Sequence, residues 1–281
     1  METTLEKNFV LFRVSMKTLS TKRIDENVSK EIDKQKNGNK AGKYYKLIIG
    51  EDFSDLITKI QGKIRTLVYQ YTFPYFSSGF RILSLEQYKK FMEKLKTLEI
   101  SLNENQEKFF REYENMRNDS IARQGELFNP LEFPSIETMK SKYNTFLEYE
   151  FAEIPKNDFL VSLEQKEIEK LQETMNKQKE QAIENIVSDL WKNTKEILER
   201  LKEALDKDRK ITDTTLEKAL EIADIINSYN IKENKELKNI ADSLKKDLKG
   251  IDNIDTKTDK EAKSEYAKKV EKTLKKINEY I

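Results

Sequence analysis

The spacing of hydrophobic and polar positions along this chain changes period several times, and each change marks an element. From Asn8 to Lys17 β-branched and aromatic side chains dominate, and Val10, Phe12, Val14 and Met16 fall on one face of an extended strand. Gly79 to Leu83 and Tyr149 to Ile154 have a similar makeup, which predicts a small antiparallel sheet joining three distant segments. Ile24 to Lys43 is polar, carries Asn37, Gly38, Asn39 and Gly42, and reads as a short helix ending in a mobile loop. From Asp52 the period becomes helical, with Leu56, Ile60, Ile64 and Leu67 on one stripe and Gly62 a weak point within it.

Ser84 followed by Gln87 is a capping-box pattern, in which a hydroxyl and an amide each satisfy a free backbone N–H at a helix start. It predicts a long helix with Tyr88, Phe91, Leu95, Leu98, Leu102, Phe109, Tyr113 and Met116 on its apolar stripe and a break around Asn103 to Asn105. Gly125 to Pro134 reads as a loop with two prolines. Ser135 then opens a helix bearing Ile136, Met139, Tyr143 and Phe146. Ser162 and Gln165 form a second capping box, after which Ile168, Leu171, Met175, Ala182, Ile186, Leu190, Ile197, Leu201 and Leu205 trace a narrow stripe. That stripe predicts about 43 residues of helix, roughly 65 Å long at 1.5 Å per residue. Gln178 and Thr194 interrupt its seam, so a regular coiled coil is not assured. Shorter helices are predicted over Asp213 to Tyr229, Lys232 to Lys249 with Gly250 as a stop, and Asp259 to Ile281. Narrow stripes bury only against other helices, which predicts an antiparallel bundle with the long helix as its spine.

Composition sharpens this division. All fourteen Phe, nine of twelve Tyr and all four Pro precede residue 160. The expected fold is therefore mainly α: an aromatic-rich, mostly helical domain with short strands over 1–160, then a long charged helix and a three-helix bundle over 161–281. Lys plus Arg number 52 against 51 for Asp plus Glu, so no net field draws nucleic acid or an anionic membrane. No window approaches the roughly 20 apolar residues of a membrane span, and the first twelve residues lack a basic leader and an apolar stretch of secretory length. A cytoplasmic location is expected, in a host cell if the chain is viral.

Cysteine and histidine are both absent, which excludes disulfides, thiolate nucleophiles, cysteine zinc sites and serine-histidine hydrolases. Gly38 to Tyr44 superficially resembles a phosphate-binding loop but is one residue short, lacks the magnesium-holding Ser or Thr, and follows a polar segment instead of a strand. A solvated basic loop is the expectation there. Asp206, Asp208 and Asp213, and later Asp252, Asp255 and Asp259, lack the glycine and acidic spacing of a calcium loop. No catalytic residue, cofactor-binding residue or metal ligand is assigned. The distinctive stretch is Tyr69 to Arg81, with six aromatics around Pro74. Burial accounts for such a stretch more often than recognition does; the alternative makes Tyr69, Tyr71, Tyr75 and Arg81 a partner-binding surface, since Tyr and Arg join apolar area to directional polar contacts.

The order of Leu11 to Met16, Gly42-Lys43-Tyr44-Tyr45-Lys46-Leu47-Ile48, Thr72-Phe73-Pro74-Tyr75 and Gly79-Phe80-Arg81-Ile82-Leu83 resembles an uncharacterised family of phage-encoded, mainly helical proteins. The resemblance covers residues 8 to 205. It implies a viral or mobile-element origin and a role through association, beside a ring-forming ATPase among other partners. The extended helical surface and the missing catalytic chemistry lead to the expectation of a non-enzymatic interaction protein without a cofactor: a scaffold, an adaptor, or an inhibitor of a host complex such as a defence assembly. A homo-oligomer remains open. Two rival classes are a nucleic-acid binder using the aromatic turn and neighbouring lysines, and a divalent-metal hydrolase built on carboxylate-rich helix faces.

Overall fold

The computed structural model describes residues 4–18, 22–48, 51–75, 79–143, 145–154, 165–206, 213–249, 251 and 260–280. In chain order the elements are α1 (Thr4–Asn8), β1 (Phe9–Met16), β2 (Lys22–Asp25), α2 (Glu26–Gln35), β3 (Tyr44–Leu47), α3 (Glu51–Tyr71), β4 (Thr72–Pro74), β5 (Arg81–Ser84) and α4 (Leu85–Gln124). Two single 3-10 turns follow, then α5 (Ile136–Lys142), β6 (Leu147–Ala152), α6 (Gln165–Asp206), α7 (Asp213–Ser228), α8 (Lys235–Asp247) and α9 (Lys260–Ile277). The fold is mainly α, as the periodicity predicts. No helix among the described residues is long and apolar enough to cross a membrane.

The chain divides into two compact units, and neither is a continuous segment. Unit 1 comprises Met1–Arg13, Tyr71–Lys89 and Phe151–Ile281, and unit 2 comprises Val14–Gln70 and Lys90–Glu150. The compositional break near Pro155 therefore does not mark where compactness divides, and the 1–160 and 161–281 boundaries are replaced by these. Composition follows local sequence, whereas compactness follows contacts made at long range.

Three predicted strands lie in one four-stranded sheet of order β4-β5-β1-β6. β1 and β5 are antiparallel, with Phe9 opposite Ser84 and Phe12 opposite Arg81. β4, which the periodicity does not reveal, also runs antiparallel to β5. The face assignment for β1 needs correction: Phe9 and Leu11 are buried as well as Phe12, while Val14 and Met16 are half-exposed. The first half of the strand is covered on both sides, so alternation fails there.

In unit 1, α6 packs on α7 and α9, α7 on α8, and α8 on α9, so each stripe finds another helix. Phe9, Leu11, Phe73, Tyr75 and Ile82 join Ile186, Leu190, Leu201, Ile226, Leu244 and Val270 in one hydrophobic core. Thr194, expected to interrupt the seam, is fully buried and donates its hydroxyl to the Leu190 carbonyl at 2.7 Å. The second capping box falls partly outside the described residues, as do Gly250 and most of the two aspartate clusters.

Tyr229 closes this core. Its ring lies edge-on to Phe73 with centroids 4.6 Å apart. Its hydroxyl accepts the Ser84 backbone N–H at 3.1 Å and sits 2.7 Å from the Tyr71 carbonyl and 2.8 Å from that of Ile82. The Ser84 N–H that the capping box assigns to Gln87 is thus taken by a side chain 145 residues away. Burial drives the Tyr229 hydroxyl pKa far upward, so it stays a neutral donor.

In unit 2, Ile57, Ile60, Ile64 and Leu67 form the buried stripe of α3, while Leu56 is exposed. α4 runs without a break through Asn103 to Asn105, where the Asn105 amide donates to the Ser101 carbonyl at 2.7 Å. β2 and β3 pair antiparallel, with Lys22 opposite Leu47 and Asp25 opposite Tyr44.

Two substitutions test this description by urea unfolding. Gly62 is helical, and apart from the adjoining backbone of its own helix no atom lies within 4 Å of where an alanine Cβ would stand, so Gly62→Ala is expected to stabilise by about 0.5–1 kcal/mol. Tyr229→Phe keeps the ring but strands the Ser84 N–H, and an expected loss of about 1–3 kcal/mol follows.

Candidate functional site

The aromatic turn is core and not surface at most of its candidate positions. Tyr71 and Tyr75 are 1% and 2% exposed. The Tyr71 hydroxyl donates to Glu221 Oε2 at 2.8 Å, and burial followed by that carboxylate raises its pKa strongly. Burial and the charge of Glu6 push Tyr75 up to about 12. Arg81 donates from Nε to Thr72 Oγ1 at 2.6 Å and from Nη2 to the Thr72 carbonyl at 2.7 Å, bracing β4 against β5. Tyr69, at 59%, is the one of the four that is largely exposed, and it belongs to unit 2 whereas the others belong to unit 1. Tyr71 and Tyr75 are thus core side chains of unit 1.

The loop that resembles a phosphate cradle is already filled. The Asp33 carboxylate accepts the backbone N–H groups of Lys40 at 2.8 Å and Ala41 at 3.2 Å, standing where an anion would stand. The Gly38 N–H bonds the Asp33 carbonyl at 2.7 Å. These bonds fix a loop that the composition reads as mobile. Among the described residues no three carboxylates converge in a way that could hold a metal ion.

A more organised site lies elsewhere in unit 2, around Lys46. Its side chain is 5% exposed, yet its ammonium is matched by Glu132 Oε2 at 2.7 Å, Asp25 Oδ2 at 3.2 Å and the Leu127 carbonyl at 2.9 Å. Burial works against the charge. The bonds and fields of Glu132 and Asp25 outweigh it, and the lysine pKa lies above its ordinary value. Asp25 also caps α2, accepting the N–H groups of Asn27 and Val28, each at 3.1 Å. The Val28 bond is the leading cause of its lowered carboxyl pKa; burial opposes it, and Lys46 assists.

Lys46 thereby grips both ends of a short loop. α4 ends at Gly125, whose φ of +51° is the left-handed conformation in which a helix commonly stops. A 3-10 turn over Gly125–Leu127 and another over Pro130–Glu132 follow. The Asn129 side chain accepts the Leu131 N–H at 3.0 Å, its carbonyl accepts the Glu132 N–H at 3.0 Å, and the rings of Phe128 and Phe133 stack with centroids 5.0 Å apart. The segment before the loop is laced to the end of β3 and the residue after it in the same way: Ser120 Oγ donates to the Ile48 carbonyl at 2.8 Å, and the Gln124 amide donates to that of Leu47. At the tip, Leu131 is 90% exposed.

Beside Leu131 opens a cavity of about 300 Å³, lined also by Lys22, Arg23, Lys142, Glu132, Met139 and Ile48. Arg23 and Lys142 are exposed there, and the carboxylate lining the same cavity, Glu132, is engaged by Lys46. Tyr113 and Tyr143 complete the wall; the Tyr113 hydroxyl donates to the Pro134 carbonyl at 2.8 Å, and Lys142 lies 5.3 Å from the Tyr143 ring centroid. Sequence reasoning placed a loop here, and the Asn129-Pro130 dipeptide is its turn signal. Nothing local marks Lys46 as the residue that holds it. Comparison with protein-family models, with curated proteins and with solved structures finds no match to this chain.

Lys46→Met is expected to destabilise unit 2 by about 3 kcal/mol or more, because two carboxylates lose their buried counter-charge, measured as a lower urea midpoint. Acid tests the same clamp with a defined sign. The folded Asp25 carboxyl binds its proton less tightly than the unfolded one, so its contribution is complete above the ordinary value of 3.8 and fades as pH falls through the lower folded value.

Proposed function

We propose that this chain is an interaction protein that engages a protein partner through the Leu131 loop of unit 2. Exposed leucines scattered singly carry no message. The observation supporting this reading is that Leu131 is held outward by a loop tied at both ends to a buried, doubly paired lysine. An apolar side chain presented on a rigid support loses little conformational freedom on docking, which is how anchor residues at interfaces gain affinity. The neighbouring cavity offers room for a reciprocal side chain of the partner. The phage or mobile-element origin rests on the sequence resemblance, which points to association beside a ring-forming ATPase; the scaffold, adaptor or inhibitor role, with a host complex as partner, rests on the helical surface and the absence of catalytic chemistry in the sequence. The aromatic turn no longer supports the nucleic-acid alternative, since Tyr71 and Tyr75 are buried.

Affinity capture from native or infected cells, with wild type and Leu131→Asp side by side, tests the reading. The variant is expected to unfold within about 0.5 kcal/mol of wild type, because the position is exposed, while recovery of the co-purifying chain falls about tenfold, as for loss of an anchor contact. Equal recovery would remove Leu131 from the interface.

A further inference from the structure

We infer that the surface formed by Leu131 and the adjoining cavity of unit 2 takes an acidic peptide segment that also carries an apolar side chain. This inference rests on the interaction reading above and adds the chemistry of the partner. Arg23 and Lys142 line the cavity, and the carboxylate that lines it with them, Glu132, is paired with Lys46 at 2.7 Å. Arg23 and Lys142 are exposed at the opening, where they attract carboxylates and steer their approach. The exposed apolar part of the surface is Leu131 at the rim, backed by the buried Met139 and Ile48, and it suits an aliphatic or aromatic side chain placed next to the acidic groups.

A nucleobase fits less well. Tyr113 and Tyr143 are 1% and 6% exposed, so their rings are packed inside and offer no open face for stacking. The exposed apolar group is a leucine. The balance of the whole chain, 52 basic against 51 acidic residues, supplies no net field that would draw acid to the surface at large.

The test is a selection from a random heptapeptide library on the full chain at physiological salt, followed by titration of synthetic enriched peptides and of a thymidine hexanucleotide. Enriched peptides are expected to carry two or more carboxylates beside an aliphatic or aromatic residue. Their affinity should fall about tenfold with Arg23→Glu combined with Lys142→Glu, and about tenfold with Leu131→Asp, each with an unchanged melting temperature. Enrichment of neutral or basic peptides, absence of enrichment, acidic peptides indifferent to the charge reversals, or a hexanucleotide that binds more tightly than any peptide would each overturn the inference. The two readings fail separately. If Leu131→Asp abolishes capture from cells while the charge reversals leave it intact, the interaction stands and the acidic partner falls; if both variants capture normally, both readings fall.

Discussion

A single ammonium group organises the part of this protein that looks outward. A lysine head left buried without partners costs several kcal/mol, so Lys46 is tolerable only where two carboxylates and a carbonyl converge on it. That requirement draws together the N-cap of α2, the middle of β3 and the loop after α4, which lie up to 107 positions apart along the chain between Asp25 and Glu132. Asp25 is tied to the start of α2 and Glu132 to a 3-10 turn, so the lysine fixes their supports as well as their charges. The outward leucine is a consequence of an inward salt bridge.

Unit 1 solves an analogous problem with a neutral group. Its sheet and its helices share one core, and the backbone at the junctions α3–β4 and β5–α4 must be satisfied inside it. The Tyr229 hydroxyl, reaching from the end of α7, meets the Tyr71 and Ile82 carbonyls and the Ser84 N–H. A hydroxyl both accepts and donates, which no apolar side chain at this position could do. The Tyr71 hydroxyl is aimed the other way, onto Glu221 of α7, so the end of α3 and the α7 segment hold one another by two separate contacts.

What the sequence displayed of this fold follows from the range of the forces involved. Helices were legible because a stripe such as Ile60, Ile64 and Leu67 records burial within one element; even so, Ile57 and not Leu56 completes it, a shift of one position that periodicity tolerates. Strands β1, β5 and β6 were legible through β-branched and aromatic runs, whereas β2, β3 and β4 are short, and polar residues or Pro74 blur them. The interruption expected at Asn103 to Asn105 failed because the Asn105 amide bonds within the helix. Unit boundaries were not legible, since they depend on pairings such as Phe9 with the ring of Tyr229, 5.4 Å between centroids. The site was half legible. A loop at Gly125 to Pro134 is written in its glycine and prolines, while the buried state of Lys46 comes only from what folds over it. Conversely, Tyr71 and Tyr75 looked equal to Tyr69 in a linear reading, and only the alternation at 71, 73 and 75 hints that one side of that stretch turns inward.

The interleaving of the two units bears on the order in which a growing chain can become protected. Every residue of unit 2 has been synthesised once position 150 is reached. Phe9 and Leu11, by contrast, share their core with Val270 and Ile277. At translation rates of about 5–20 residues per second, those side chains wait on the order of ten seconds or longer for their final neighbours to leave the ribosome. During that interval β1 carries apolar side chains whose final neighbours have yet to be made.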